Sequence, residues 1–573
     1  MIRQILAFIV LCSFSYTAYS QQASVPEKTK YWIFLTDKLD RSGKRTQVED
    51  AYLTDQAVSR RALRGESEHA ARFASQDAPI SQVYEDDLSE KGFTIEQRSR
   101  WMNAVTAYLN EDEVEQISEL SYVKEIHGVR HLSPHVELST PISPVIAQEV
   151  SKACPSPKYG GSCRQLDVVN AIPALDEGIT GTGVLLGFVD THFNQRSGGQ
   201  PFDHPWMRHI PDSGRLMKIR DFTQRDSSQP CLDWNNHGLN VASVASGYLE
   251  GSIIGPGYGT NIYGAVTECS PYERNIEEDN FVAGVEWLES EGVDVITSSL
   301  GYDKFDPGQR SYTPDQLDGD TGLTTIAMDW ATLRGVVTVT SAGNGGPNPQ
   351  TIGTPADADS VISVGGVNRN RSVTGFSSRG PTADGRIKPD VSGMASGVVV
   401  AGGGPFGANG TSFSAPMIAG IVTQILEVNP NLKPREVWKI LTSTSSQAAS
   451  PDNILGYGIA DAYAAIQAAR SFATNRSREE LPIPGKLIIH SPFPNPFSDI
   501  VHFTIEAFEP ITYAQLTMYD VLGRKAAIVY EGPVSSGGFP IQFDAHHLPP
   551  GVYAYTLEFE GRTQSGTVTR LSY

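Results

Sequence analysis

Between about residues 160 and 470 the chain alternates short, largely apolar runs of buried-strand type with longer segments whose apolar positions recur every three or four residues. The runs GVLLGFVD (183–190), NIYGAV (261–266), VDVITSSLG (293–301), VVTVTSAGN (336–344) and VISVGGV (361–367) read as strands covered on both faces. HGLNVASVASGY (237–248), NFVAGVEWLESEG (280–292) and LTTIAMDWATLRG (323–335) carry the helical period. Strands and helices in alternation predict an α/β module, a parallel sheet with helices on its faces, whose ligands sit beyond the carboxyl ends of the strands. The flanks differ. Residues 28–130 hold a strand pattern YWIFLTD, a helical stretch LTDQAVSRRALRG, and WMNAVTAYLNEDEVEQISEL leading to YVKEIHGV, which together predict a compact α+β unit. Residues 484–573 contain short alternating strands such as VHFTIE, AQLTMYD, KAAIVYEG, PIQFDA and VYAYTLEFEG between Gly and Pro turns, the pattern of a small β-sandwich. A Pro- and Ser-rich stretch over 131–160 reads as a linker, where processing cuts fall, and NRSREELPIPG breaks the chain before the sandwich.

Bulk properties narrow the function classes. At 573 residues several modules are expected. The 45 basic against 65 acidic side chains give a net charge of −20, with no long basic run, so neither nucleic acid nor an anionic membrane is an expected partner. Residues 1–20 read as a secretory signal: Arg3, the apolar run ILAFIVLC, then the small-x-small site Ala18-Tyr19-Ser20. No other stretch is expected to span a membrane. Export makes disulfides permissible among Cys154, Cys163, Cys231 and Cys269. Four thiols allow three pairings; nearness along the chain favours Cys154 with Cys163 and Cys231 with Cys269, and the spacings fit no zinc template.

The candidate chemistry lies in the central module. GTSFSAP (410–416) places Ser412 just before an apolar helix signal, Asp190 ends an apolar run, and His237 opens a helical segment. A serine hydroxyl needs a base to take its proton, and an imidazole in that role needs a carboxylate to fix its tautomer and stabilise its cation. Acyl transfer also needs hydrogen-bond donors at the developing oxyanion. Asn344 at a strand end offers an amide, and the Ser412 N–H at a helix start a second. Taken singly, a strand-end Asp, a Ser before a helix or an Asn between glycines is more often a cap or turn residue. Their convergence in one module, in the order Asp, His, Ser, carries the reading.

HGLNVASVASG resembles the HGxxVAxxxAG motif of the subtilisin-like serine peptidases, GTSFSAP their GTSxxxP motif and SAGN their oxyanion-asparagine motif, with FSSRGP and RIKPDV as further shared stretches. The resemblance covers about 160–470. It implies a subtilisin-like domain over 161–472 with Asp190, His237 and Ser412 as the triad and Asn344 as oxyanion donor. It also implies that Ser299, Leu300 and Gly301, with Ser341, Ala342 and Gly343, line the substrate cleft. Residues 28–130 look like a subtilase propeptide, which implies an intramolecular inhibitor cut free within the linker. Residues 484–573, with SPFPNPF and YDVLGR, resemble the C-terminal sorting domain of type IX secretion substrates, implying export by that machinery and then release or attachment to the cell surface.

The expectation is therefore a secreted serine endopeptidase, made as a zymogen, that cuts polypeptides and needs no cofactor. Calcium often stabilises such peptidases; the acidic loop LDGDTG (317–322) is suggestive of a site but reads first as a solvated loop, and no metal ligand is assigned. Two positions depart from the family: His192 stands two residues after Asp190, and Leu239 follows the His-Gly pair. His204 and His209 are expected at the surface. The rival readings are a surface-binding protein with an inert module of the same fold, and an esterase, whose GxSxG elbow is absent.

Overall fold

The computed structural model describes residues 28–39, 43–44, 52–66, 73, 76–129, 156–195, 198–223, 235–268, 276–302, 311–403, 407–475, 487–489, 492, 497, 500–507, 511–520, 523–534, 537–559 and 562–570. The signal, most of the linker, and Cys154, Cys231 and Cys269 lie outside them. Cys163 is disulfide-bonded.

The N-terminal module is a four-stranded antiparallel sheet with helices. Its elements are β1 (Thr29–Leu35), α1 (Asp55–Arg64), α2 (Gln82–Glu90), β2 (Arg98–Ser99), β3 (Ala104–Leu109), α3 (Glu111–Ser118) and β4 (Val123–Val129), and the sheet order is β2-β3-β1-β4. The stretch 101–120 divides at Asn110, whose side chain accepts from Glu113 N while Glu113 caps Asn110 N in return, so strand gives way to helix there. Strand alternation sends Ile33, Leu35, Val105 and Leu109 into the module's own core. It turns Trp32 and Thr106 to the other face, against Leu323 and Asp279 of the central module.

The central module carries seven parallel strands: β5 (Leu185–Asp190), β6 (Leu216–Asp221), β7 (Asn261–Val266), β8 (Val295–Ser298), β9 (Val337–Ser341), β10 (Ile362–Val367) and β11 (Val391–Met394). They pair in the order β11-β10-β9-β8-β5-β7-β6. Helices α4 (His237–Ser246), α5 (Ile276–Glu291), α6 (Leu323–Leu333) and α7 (Thr411–Val428) cover the faces. β5, β8, β9 and β10 are buried along their whole length, as strands covered on both faces must be, with Thr297, Ser298, Thr338, Thr340 and Ser341 among the buried side chains. The two edges, β6 and β11, were not expected from the sequence: LMKIRD is half exposed and VSGM short. Helix α7 has the length and apolarity of a membrane span, but its side chains are nearly all buried against α4 and the sheet, making it a core helix.

The C-terminal unit is two antiparallel sheets, one of strands Leu487–Ile489, Ile500–Ala507 and Gly537–Asp544 and one of Ile511–Tyr519, Lys525–Val534, Gly551–Phe559 and Arg562–Arg570. Phe503 and Ile505 from the first meet Leu516, Leu557 and Phe559 from the second in one core, which is the expected sandwich.

Candidate active site

Three neighbouring strands, β5, β8 and β9, end at Asp190, Ser298 and Ser341, so their carboxyl ends open on one crevice where the strand order reverses. Asp190 is fully buried, and its Oδ1 accepts from Thr191 N at 2.8 Å and from His237 Nδ1 at 2.7 Å. His237 is the first residue of α4. Its own N–H goes to Asn235 Oδ1 at 2.9 Å, and the Gly238 N–H to Thr191 Oγ1 at 2.9 Å, so the loop after β5 fixes the helix start. Gly238 is required there, since a Cβ would lie 2.6 Å from Thr191 O. Burial lowers the affinity of the His237 imidazole for a proton, but the Asp190 carboxylate, by charge and hydrogen bond, and then Glu268 outweigh it, so its pKa stands above the ordinary imidazole value.

Ser412 is the second residue of α7, where a backbone N–H has no intrahelical acceptor. The His237 ring lies 5.9 Å from the ring of Phe413, which puts the imidazole beside this first turn. Ser412 Oγ donates to Ser299 O at 3.4 Å, rather than to His237, and Ser299 Oγ donates to Ser412 O at 2.8 Å. Before α7 stands Gly410 with φ 139°, a backbone that side-chain-bearing residues avoid. Asn344, three residues beyond β9, is exposed. Its Oδ1 accepts from Thr411 N (3.0 Å) and Thr411 Oγ1 (3.1 Å), and its Nδ2 lies 3.6 Å from where a Cβ on Gly410 would stand, on the side of Ser412.

The other predicted cleft residues flank this point from two strand ends. Ser299, half-buried Leu300 and exposed Gly301 continue β8. Ser341 closes β9, Ala342 is buried with its N–H on Val364 O at 3.0 Å, and Gly343, at φ 100°, donates its N–H to Thr411 Oγ1 at 3.2 Å.

Thr411 and Glu268 escaped the sequence reading. Thr411 sits inside GTSFSAP and ties Gly343 to Asn344; its place in the motif was the available signal. Glu268 lies two residues past β7, is buried, accepts the Tyr302 hydroxyl, and its charge acts on Asp190 and His237. Burial pushes its carboxyl up to about 6, against hydrogen bonds with Glu277 and Tyr302. No motif marks it.

The two departures are accommodated by backbone and packing: the carbonyl of His192 accepts Leu239 N at 3.2 Å, and Leu239 is buried in the core. His204 and His209 are half-buried instead of at the surface. His204 Nδ1 accepts Trp206 N at 3.2 Å, and His209 packs against Tyr248 and is pushed down by burial to about 4. In the loop 317–322, Asp318 accepts from Asp320 N and Thr321 N, while Arg386 donates to Asp318 O at 2.9 Å and pairs with Asp359 at 3.0 Å. Among the described residues no three His, Cys, Asp or Glu side chains are grouped to hold a metal ion.

Comparison with known proteins gives three matches along the chain. Residues 181–458 match the model of the subtilase family, 30–141 that of a Peptidase S8 propeptide domain of Bacteroidota, and 491–569 that of a secretion system C-terminal sorting domain. Serine protease AprX of Bacillus subtilis is 30% identical over 320 residues, 50% of this chain and 66% of AprX. Subtilisin DY of Bacillus licheniformis is 31% identical over 324 residues, 54% of this chain and 98% of its own. Among solved structures, a mutant of the epidermin leader peptide processing serine protease (EpiP) from Staphylococcus aureus is 13% identical with a TM-score of 0.49, over 77% of this chain and 99% of that one.

Proposed function

Because the chain belongs to the subtilase family, and is thereby a serine-type endopeptidase made as a secreted zymogen, we propose that it hydrolyses polypeptides through an acyl-enzyme on Ser412. His237 Nε2 takes the Ser412 proton as Oγ bonds to the scissile carbonyl carbon, then hands it to the amine as the C–N bond breaks. Water, activated by the same imidazole, attacks the ester and frees Ser412. Asp190 holds the imidazole and stabilises its cation. Asn344 Nδ2 and the Ser412 N–H receive the oxyanion, while residues 299–301 and 341–343 hold the substrate backbone on either side. The observation that carries the assignment is the 2.7 Å Asp190–His237 pair beside the first turn of α7. No metal enters the chemistry.

Residues 28–130 act as a pro-unit that inhibits the peptidase until the linker is cut, and the sorting domain directs export by the type IX machinery, followed by release or attachment at the cell surface. Nothing in the site or the comparisons favours an inert binding module. The test is intact mass of residues 21–573 beside Ser412→Ala. Wild type alone should shed its pro-unit, and the purified variant should lose about 10⁶-fold in kcat, a figure that comes from subtilisin. Self-processing and full activity in Ser412→Ala would overturn the assignment.

A further inference from the structure

Arg334 caps the C-terminal end of α6 in the peptidase, yet its side chain is fully buried in contacts that come mostly from the pro-unit. The guanidinium lies between two pro-unit rings, 4.4 Å from the Phe73 centroid and 4.3 Å from that of Trp101. Nη2 donates to Gln76 Oε1 at 3.0 Å and to Asp77 Oδ1 at 3.3 Å, and the peptidase itself supplies Trp330 O to Nη1 at 3.1 Å. The cage is braced from within the pro-unit: Trp101 Nε1 donates to Asp77 Oδ1 at 3.1 Å, and Arg61 pairs with the same carboxylate. Burial draws the Arg334 pKa down to about 10, so it stays cationic at neutral pH.

The pro-unit returns the gesture with arginines of its own. Arg60 pairs with Glu289 and donates to Val293 O at 2.8 Å, Arg61 Nη2 reaches Glu289 Oε2 at 2.6 Å, and Arg64 pairs with Asp294. Buried pairs of this kind are little weakened by salt. A desolvated arginine between aromatic faces is the sort of residue that dominates an interface, while much of the surrounding contact is near neutral.

We propose that Phe73, Gln76, Asp77 and Trp101 form a guanidinium-binding cage for Arg334, and that filling it keeps the pro-unit on the peptidase after the linker is cut. The proposal rests on reading residues 28–130 as the pro-unit. Arg334 precedes β9, whose five residues separate it by about 17 Å from the strand's carboxyl end. Once the pro-unit leaves, water solvates the guanidinium, so the mature enzyme does not need the cage.

The test follows residues 21–573 as wild type, Asp77→Asn, Arg334→Met and the double variant through self-processing. Mass spectrometry times the cut, native size-exclusion times loss of the cut pro-unit, and a short chromogenic peptide times activity. Arg334→Met should shorten pro-unit retention by at least about 30-fold, the equivalent of 2 kcal/mol, with final kcat/KM unchanged. Asp77→Asn should shorten it too while leaving a mature enzyme of wild-type sequence, and the double variant should add little to Arg334→Met. Retention times equal to wild type overturn the cage; if Arg334→Met does not fold, Asp77→Asn alone decides. A retained pro-unit on a fully active enzyme would instead refute the inhibitor reading and leave the retention result standing.

Discussion

Replacing Thr411 by valine removes one oxygen from the site and little volume. That hydroxyl donates to Asn344 Oδ1 and accepts from Gly343 N, and Thr411 is completely buried, so no water replaces it. The lost hydrogen bond costs about 1 kcal/mol and the stranded Gly343 N–H a further 1–3, so the folded protein should lose roughly 2–4 kcal/mol. Asn344 keeps one of its two anchors, the Thr411 N–H. Its amide is therefore loosened without being lost, and the effect on turnover should fall short of the 10²- to 10³-fold that removing such an oxyanion donor costs, a figure that comes from subtilisin. One anchoring bond, at about 1 kcal/mol, corresponds to roughly five- to tenfold in kcat. Because the oxyanion forms only in the transition state, the loss should fall on kcat and spare KM. The assay is steady-state hydrolysis of a short chromogenic peptide by the processed enzyme, with Thr411→Ser, which keeps the hydroxyl, within about threefold of wild type. A folded Thr411→Val with wild-type kcat, or a loss confined to KM, would refute this account of Asn344.

Asp190→Asn should cut kcat by about 10⁴-fold, as loss of the carboxylate partner does in such triads. The same carboxylate holds the His237 pKa above its ordinary value, so wild-type activity should rise with pH through a midpoint above that value, and residual activity in the variant through a lower one; an unmoved acid limb in kcat/KM profiles would count against it. Glu268→Gln should also shift the acid limb downward by removing a buried negative neighbour, with plateau kcat nearly unchanged; an identical profile would show that Glu268 does not reach the imidazole. Gly343→Ala places a Cβ 2.8 Å from Ser378 Oγ at a positive φ, so the fold should lose roughly 1–3 kcal/mol to strain, and melting temperature and kcat should both fall. Unchanged values for both would mean that the turn before Asn344 adapts freely.

The sheet interior could be read from the chain because strands buried on both faces keep mostly apolar runs, interrupted on β8 and β9 only by small Thr and Ser, and Asp190 and Asn344 stood out as polar residues following such runs. Edge strands leave no such record: LMKIRD on β6 buries none of its residues and exposes Met217 beside Lys218, and VSGM on β11 is too short to show a period. Local order was equally readable, since the helical period of LTDQAVSRRALRG marked α1, which Thr54 caps by accepting Ala57 N. Partners far apart in sequence were not. Arg60 and Glu289 are separated by 229 positions, Arg334 and Asp77 by 257, and nothing in either neighbourhood singles out those charges from solvated ones. Glu268 is the same case within the site, since its burial depends on Glu277 and Tyr302 arriving from other segments.

The strands that present the chemistry also separate it from charges that hold the pro-unit. β5, β8 and β9 deliver Asp190, Ser299 and Ser341 at their carboxyl ends. At their amino ends stand Asp294, whose Oδ2 accepts Leu185 N at 2.8 Å, and Arg334, two of the charges that the pro-unit engages there, with Glu289 beside them. About 17 Å of strand lies between the Arg334 end of β9 and the end that carries the chemistry, too far for a side chain at one end to touch the other. Charges at the amino ends can therefore vary in how tightly they hold the pro-unit while the positions of Asp190, His237 and Ser412 stay fixed. The start of α5 differs: Asp279, paired with Lys30 and Thr106 of the pro-unit, lies on the segment that follows Glu268 from the carboxyl end of β7. Substitutions at Asp279 should thus alter both pro-unit retention and the pH profile, whereas those at Arg334 should alter retention alone. Measuring the two readouts on each variant separates a residue that grips the pro-unit from one that also supports the site.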